Sequence, residues 1–192
     1  SSRLNMRSCT GRSKNTCAEE SAAILLLAIL SGSSICEPAG APMPAIRLIT
    51  PVFTGEAPVR QKKEATTAET TVVTDQDLNN KANLLVMMFN PTCGHCEDQT
   101  DLFIQHISLF HNSKLVLMAG HQMLPYLEYF NNGRHVDAFP QTIIMGVDSA
   151  QFIDKTFRYE SLPQINIYDH ERKLMRSFTG PVGIDSLKGY IE

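Results

Sequence analysis

At 192 residues the chain is long enough for one domain of about 100–150 residues with a further segment attached. It is 43% hydrophobic and 19% charged with a net charge of −3, the composition of a soluble globular protein. It lacks the basic stripe that nucleic-acid binding requires, its adjacent basic pairs being the isolated Lys62-Lys63 and Arg172-Lys173. Cys9, Cys17 and Cys36 precede the pair Cys93 and Cys96, a clustering unlike the evenly spread framework of a small disulfide-stapled domain.

The most continuously apolar run is "AAILLLAIL", Ala22 to Leu30. It is too short to span a bilayer, which takes about 20 residues, but it matches the apolar region of an export signal. Arg3, Arg7, Arg12 and Lys14 supply the positive flank and Ser31 to Ser34 the small residues beyond, while Glu19 and Glu20 depart from the pattern. Cys36, just past the run, is a candidate site for a lipid anchor, with Ile35 where a small residue is expected. The competing reading is a short buried or amphipathic helix. Residues 1–41 are therefore expected to be a signal or anchor segment and linker, and 42–192 the folded domain.

Within that domain "AIRLIT" (Ala45–Thr50) reads as a strand, 51–67 as a loop, "TTVVT" (Thr70–Thr74) as a β-branched strand and "DQDLNNK" as a turn or short helix. "NLLVMMF" (Asn83–Phe89) is continuously apolar, the signature of a strand covered on both faces. A helix is predicted after Cys96 from the three- and four-residue spacing of Leu102, Phe103, Ile107 and Phe110. "KLVLMA" is the next buried strand, and "MLPYLEYFNN" a helix with Pro125 in its first turn. Further on, "TIIMGV" fits a short strand, "SAQFIDKTF" a helix, "PQINIYD" and "KLMRSFTG" a hairpin, and "GIDSLKGYIE" a closing helix with Ile184, Leu187 and Ile191 on one face. This alternation predicts an α/β fold, a central mixed sheet with helices on both faces.

Cys93 falls where a buried strand ends and a helix begins. Two cysteines two residues apart could be half of a metal site, a redox pair, or inert. The unpaired N–H groups and dipole at a helix N-terminus stabilise an anion and so favour thiolate over thiol. The first cysteine can then act as a nucleophile while the second, one turn into the helix, closes the disulfide. Structural zinc usually takes four protein ligands, and no second C-x-x-C or paired histidine spacing accompanies this one. No metal or cofactor site is therefore assigned. The sequence also carries no phosphate-binding glycine loop, dinucleotide fingerprint or nucleophile elbow.

"MMFNPTCGHC" resembles the active-site segment of the thioredoxin superfamily, with C-G-H-C the variant typical of protein disulfide isomerases. Leu162-Pro163, followed by a strand, a hairpin and Gly180, resembles that superfamily's cis-proline region. The N-terminal strands are most similar to bacterial TlpA-like envelope thiol–disulfide oxidoreductases. The resemblance implies a thioredoxin-like fold with Cys93 as nucleophile and Cys96 as resolving cysteine. It implies that His95 and Glu97 tune the pair, and that Thr92, Leu162 and Pro163 form a surface for an extended substrate chain. It further implies protein thiols or disulfides as substrates, a membrane electron donor or an oxidant as partner, and a periplasmic or envelope location.

Several residues depart from the family pattern. Thr92 replaces the tryptophan usual before the first cysteine, Met87 stands where thioredoxins bury a carboxylate, and Gln99 where many TlpA-like proteins have a glutamate. Glu97 opposes a neighbouring thiolate through like-charge repulsion, whereas a protonated His95 favours it; Glu97 or water is the expected proton shuttle. These departures keep open a second reading, a non-catalytic thioredoxin-like binding module with a structural disulfide.

Overall fold

The computed structural model describes residues 39–53, 69–79, 81–157 and 160–191; the predicted signal or anchor segment, with Cys9, Cys17 and Cys36, lies outside them. The described residues form strands β1 (Arg47–Pro51), β2 (Thr70–Thr74), β3 (Leu84–Met88), β4 (Lys114–Ala119), β5 (Ile143–Asp148), β6 (Gln164–Tyr168) and β7 (Leu174–Thr179). Helices α1 (Gly94–Gln105), α2 (Leu127–Arg134), α3 (Phe152–Thr156) and α4 (Ile184–Leu187) are distributed among them. The strands make one mixed sheet in the order β2-β1-β5-β4-β3-β6-β7. β3, β4 and β5 run parallel, and β1 and β6 join this centre antiparallel.

The apolar run at β3 is continuous because every residue of the strand is buried. Successive side chains point to opposite faces. Leu85 and Met87 enter one core with Phe103 of α1, Leu127 and Phe130 of α2, and Leu187 of α4. Leu84, Val86 and Met88 enter the other with Phe152 and Ile153 of α3. Helices thus cover both faces, as the alternation of elements predicts.

α1 buries Cys96, Gln99, Thr100 and Phe103, a stripe at the three- and four-residue spacing of one helical face. The α-helix stops at Gln105, and Ile107–Leu109 is a 3-10 turn. Residues three apart eclipse in that geometry, so Ile107 and Phe110 keep their inward side, and the Phe110 ring packs edge-on against Phe103 at 5.7 Å. The helix predicted from Met123 is instead a 3-10 segment, His121–Tyr126, followed by α2. Pro125 is the reason, since its ring clashes with the carbonyl four residues back in an α-helix. The closing helix is likewise short. α4 passes into a 3-10 turn at Lys188–Tyr190 and Ile191 is extended, yet Ile184, Leu187 and Ile191 all meet the same core.

Gly146, on β5 between β1 and β4, is required by close approach. A Cβ there would lie 2.8 Å from the Ile49 carbonyl oxygen and 2.9 Å from Thr50 Cγ2. Gly146→Ala is expected to lower stability by about 1–3 kcal/mol through this overpacking, read as a fall in the urea midpoint at unchanged slope.

Candidate active site

The site begins where β3 leaves the sheet. The Phe89 N–H still bonds the Met118 carbonyl (3.0 Å), after which Asn90-Pro91-Thr92-Cys93 turns back. The Cys93 N–H donates to the Asn90 carbonyl (3.0 Å), and the Asn90 side-chain oxygen accepts from the Thr92 N–H and hydroxyl, each at 2.9 Å. Asn at the first and Pro at the second position are the residues that such a turn prefers.

Cys93 is the N-cap of α1, with extended backbone (φ −101°, ψ 117°), and its side chain makes no capping bond. Its carbonyl accepts from the Cys96 and Glu97 N–H groups at 3.0 and 3.1 Å. Both cysteines are free thiols, Cys93 half-buried and Cys96 buried. Burial pushes the Cys96 thiol up to about 12 from an ordinary 9.0. The Asn90 backbone N–H opposes that rise, while a hydrogen bond with the Cys93 side chain and the charges of Cys93 and Glu97 add to it. The two sulfurs are therefore within reach of each other, and the inner one keeps its proton at neutral pH.

The Leu162-Pro163 bond is cis. Met88 pairs with Gln164 across β3 and β6, so one step further along the antiparallel register Pro163 stands opposite Phe89, at the end of the sheet from which the cysteine turn departs. Pro163 is buried and Leu162 half-buried, and the Pro163 carbonyl is held by the Gly180 N–H (2.8 Å). Gly180 has φ +81°, the left-handed region that favours glycine.

Of the other predicted residues, Thr92 and His95 are exposed at the turn and the first turn of α1. Glu97 is half-buried and its carboxylate binds Arg134 Nη2 at 2.7 Å, while Nη1 of the same guanidinium binds Asp101. Met87 lies in the apolar core and supplies no titratable group. Gln99 has a structural role instead: its side-chain amide donates to the Val182 carbonyl (3.1 Å) and accepts from the Val182 N–H (2.7 Å). Sequence reasoning missed Asn90 and Arg134. The Asn-Pro dipeptide is a turn signal that points to Asn90, but nothing local marks Arg134, which is 37 residues from Glu97. A separate cleft of about 320 Å³, lined by Gly120, His121, Asp148 and Asp154 among others, opens beyond the carboxyl ends of β4 and β5 and includes none of these residues.

No family model and no curated protein matches the chain. Solved structures do match. One described as the thiol:disulfide interchange protein DsbE from Chlorobium tepidum aligns with TM-score 0.56 and 14% identity, covering 80% of this chain and 94% of that one. StoA from Bacillus subtilis aligns with TM-score 0.50 and 15% identity, over 78% and 98% of the two chains. A secreted disulfide oxidoreductase from Mycobacterium tuberculosis, described as homologous to E. coli DsbE, aligns with TM-score 0.50 and 13% identity, over 63% and 87%. At such identities the likeness establishes the fold: the described chain is a thioredoxin-like α/β domain.

Proposed function

We propose that this protein is a thiol–disulfide oxidoreductase that exchanges disulfides with protein substrates in the cell envelope. The observation that carries the reading is the unequal pair at the start of α1, a half-buried Cys93 at the N-cap and a fully buried, protonated Cys96 one turn inside. An accessible sulfur beside unpaired helix N–H groups is suited to attack, and a shielded one is suited to wait.

In the reducing direction the Cys93 thiolate attacks one sulfur of a substrate disulfide. The Cys93–substrate bond forms, the substrate S–S bond breaks, and the other substrate sulfur leaves as a thiolate. Cys96 then gives up its proton and attacks the Cys93 sulfur, forming the internal disulfide and releasing the second substrate sulfur. Two electrons pass from the pair to the substrate; run backwards, the same steps oxidise a dithiol. Thr92 and Leu162-Pro163, placed at the same end of the sheet, would hold the extended substrate chain around the sulfurs. Glu97 is engaged by Arg134, so water is the simpler carrier of the Cys96 proton.

An envelope location is supported by the apolar Ala22–Leu30 run with its basic flank and by the secreted M. tuberculosis neighbour. There disulfides persist, and a membrane electron donor or an oxidant would recycle the pair. Cys36 is the candidate for a lipid anchor. No helix among the described residues is long and apolar enough to cross a membrane.

Cys96→Ser should accumulate mixed disulfides with envelope proteins, seen as bands that collapse on reduction, and Cys93→Ser should not. Trapping by the second variant alone would reverse the two roles. A wild-type disulfide with a potential well below about −300 mV and no trapped species would instead favour the non-catalytic binding module.

The Cys96 shift has a second consequence. Between pH 9.0 and about 12 the folded reduced protein keeps a proton on Cys96 that the unfolded chain has lost, so stability falls as pH rises through that window. Urea midpoints of the reduced protein should drop from about pH 8 to about pH 10.5, and Cys96→Ala should flatten the drop.

A further inference from the structure

We propose that the cleft beyond the ends of β4 and β5 is a subsite for a basic side chain, an arginine or lysine, of the substrate polypeptide. This deepens the redox reading of Cys93 and Cys96 and rests on it. The cleft, of about 320 Å³, is lined by Gly120 and His121 after β4 and by Asp148, Gln151, Ile153 and Asp154 at and after the end of β5.

Its position follows from the topology. β4 and β5 are parallel neighbours. The chain leaving β4 leads to α2, whose Leu127 and Phe130 enter the core on one face of the sheet. The chain leaving β5 leads to α3, whose Phe152 and Ile153 enter the core on the other. The two loops therefore part, and a crevice opens beyond the carboxyl ends of the strands, the place where open α/β sheets hold ligands. The cysteine turn leaves from the same end. The Phe89 N–H bonds the Met118 carbonyl, so that turn starts one strand away from Gly120. With strands about 4.8 Å apart, the crevice is about 5–10 Å across the sheet end from the turn, about two or three residues of extended chain.

The lining selects for positive charge. It holds two carboxylates and no lysine or arginine. Asp148 is only 8% exposed. Its carboxylate accepts from the Ala150 and Ile153 N–H groups at 2.9 and 2.8 Å, which fixes the loop into α3. None of the ion pairs among the described residues includes it, although a buried carboxylate is commonly matched by a cation. Each of its oxygens has a lone pair beyond the one that the loop uses. Lys155 donates instead to the Ala150 carbonyl (3.1 Å). The exposed Asp154 adds a second negative charge, and Ile153 offers an apolar wall. A guanidinium or ammonium head on an alkyl stem matches both features.

Two measurements on the full chain test the assignment. In the first, N-ethylguanidinium chloride is titrated against equal sodium chloride and the backbone amide shifts are followed. Saturable shifts are expected at residues 120–122 and 149–154, weakened about threefold by Asp154→Asn; their absence overturns the cleft as a cation site. The second measures how fast the reduced protein exchanges with peptides that carry one internal disulfide. The peptide disulfide is reduced as the Cys93–Cys96 disulfide forms. The peptides differ only at a residue about two or three positions from a cysteine. Those with arginine or lysine there should react about three- to tenfold faster than the one with norleucine. Each ratio is taken on one protein, so the ionisation of Cys93 cancels. Asp154→Asn should bring the ratio towards one. Glu171→Gln should not, since it removes a charge from the β6–β7 hairpin at the opposite end of the sheet. A wild-type ratio near one, or a ratio lowered equally by both variants, overturns the substrate subsite and leaves the redox function standing. If saturable titration accompanies that result, the occupant is a free amine. A wild-type protein that exchanges with none of the peptides overturns the redox function, and the substrate assignment with it.

Discussion

Cys93 and Cys96 belong to one helical turn, yet water reaches one and not the other. That difference in hydration is the constraint on which the site depends. A buried sulfur resists ionisation because its charged form has lost solvent, and here the thiol is pushed up to about 12. Cys93, at the N-cap of the same helix, is only half-buried and keeps contact with solvent. Two chemically identical side chains thereby differ in hydration through their depth.

The fold maintains that depth from two sides. β3 is buried throughout, so its end is a fixed point from which the Asn90 turn can launch α1. The stripe Cys96, Gln99, Thr100 and Phe103 then presses the helix onto the sheet, and Phe103 with Phe110 supplies the apolar bulk beneath it. The Asn90 side chain stiffens the turn by holding Thr92. Pro163, at the matching end of β6, keeps the same corner of the sheet filled.

Much of this was legible from residues alone. The β3 and β4 segments read as strands because they are apolar on both faces, and the cysteine pair fell at a strand-to-helix junction that periodicity could locate. The helix ends were less visible. Pro125 looks like a first-turn proline until the carbonyl clash turns its segment into 3-10 geometry, and α1 stops before Ile107 although the apolar spacing runs on. Least visible were the partners distant in sequence. Gln99 reads as a missing acid until Val182 is found opposite it, 83 residues away, and Arg134 carries no local mark because its meaning comes from the packing of α2 on α1.

The paired hydrogen bonds between Gln99 and the Val182 backbone tie the segment ahead of α4 to the middle of α1. Peeling that segment away would strand a dry amide, and a buried polar group left unmatched costs about 1–3 kcal/mol. Local opening of this edge is thus coupled to loosening of the helix that bears the sulfurs, so the two should exchange their amide protons as a single cooperative unit.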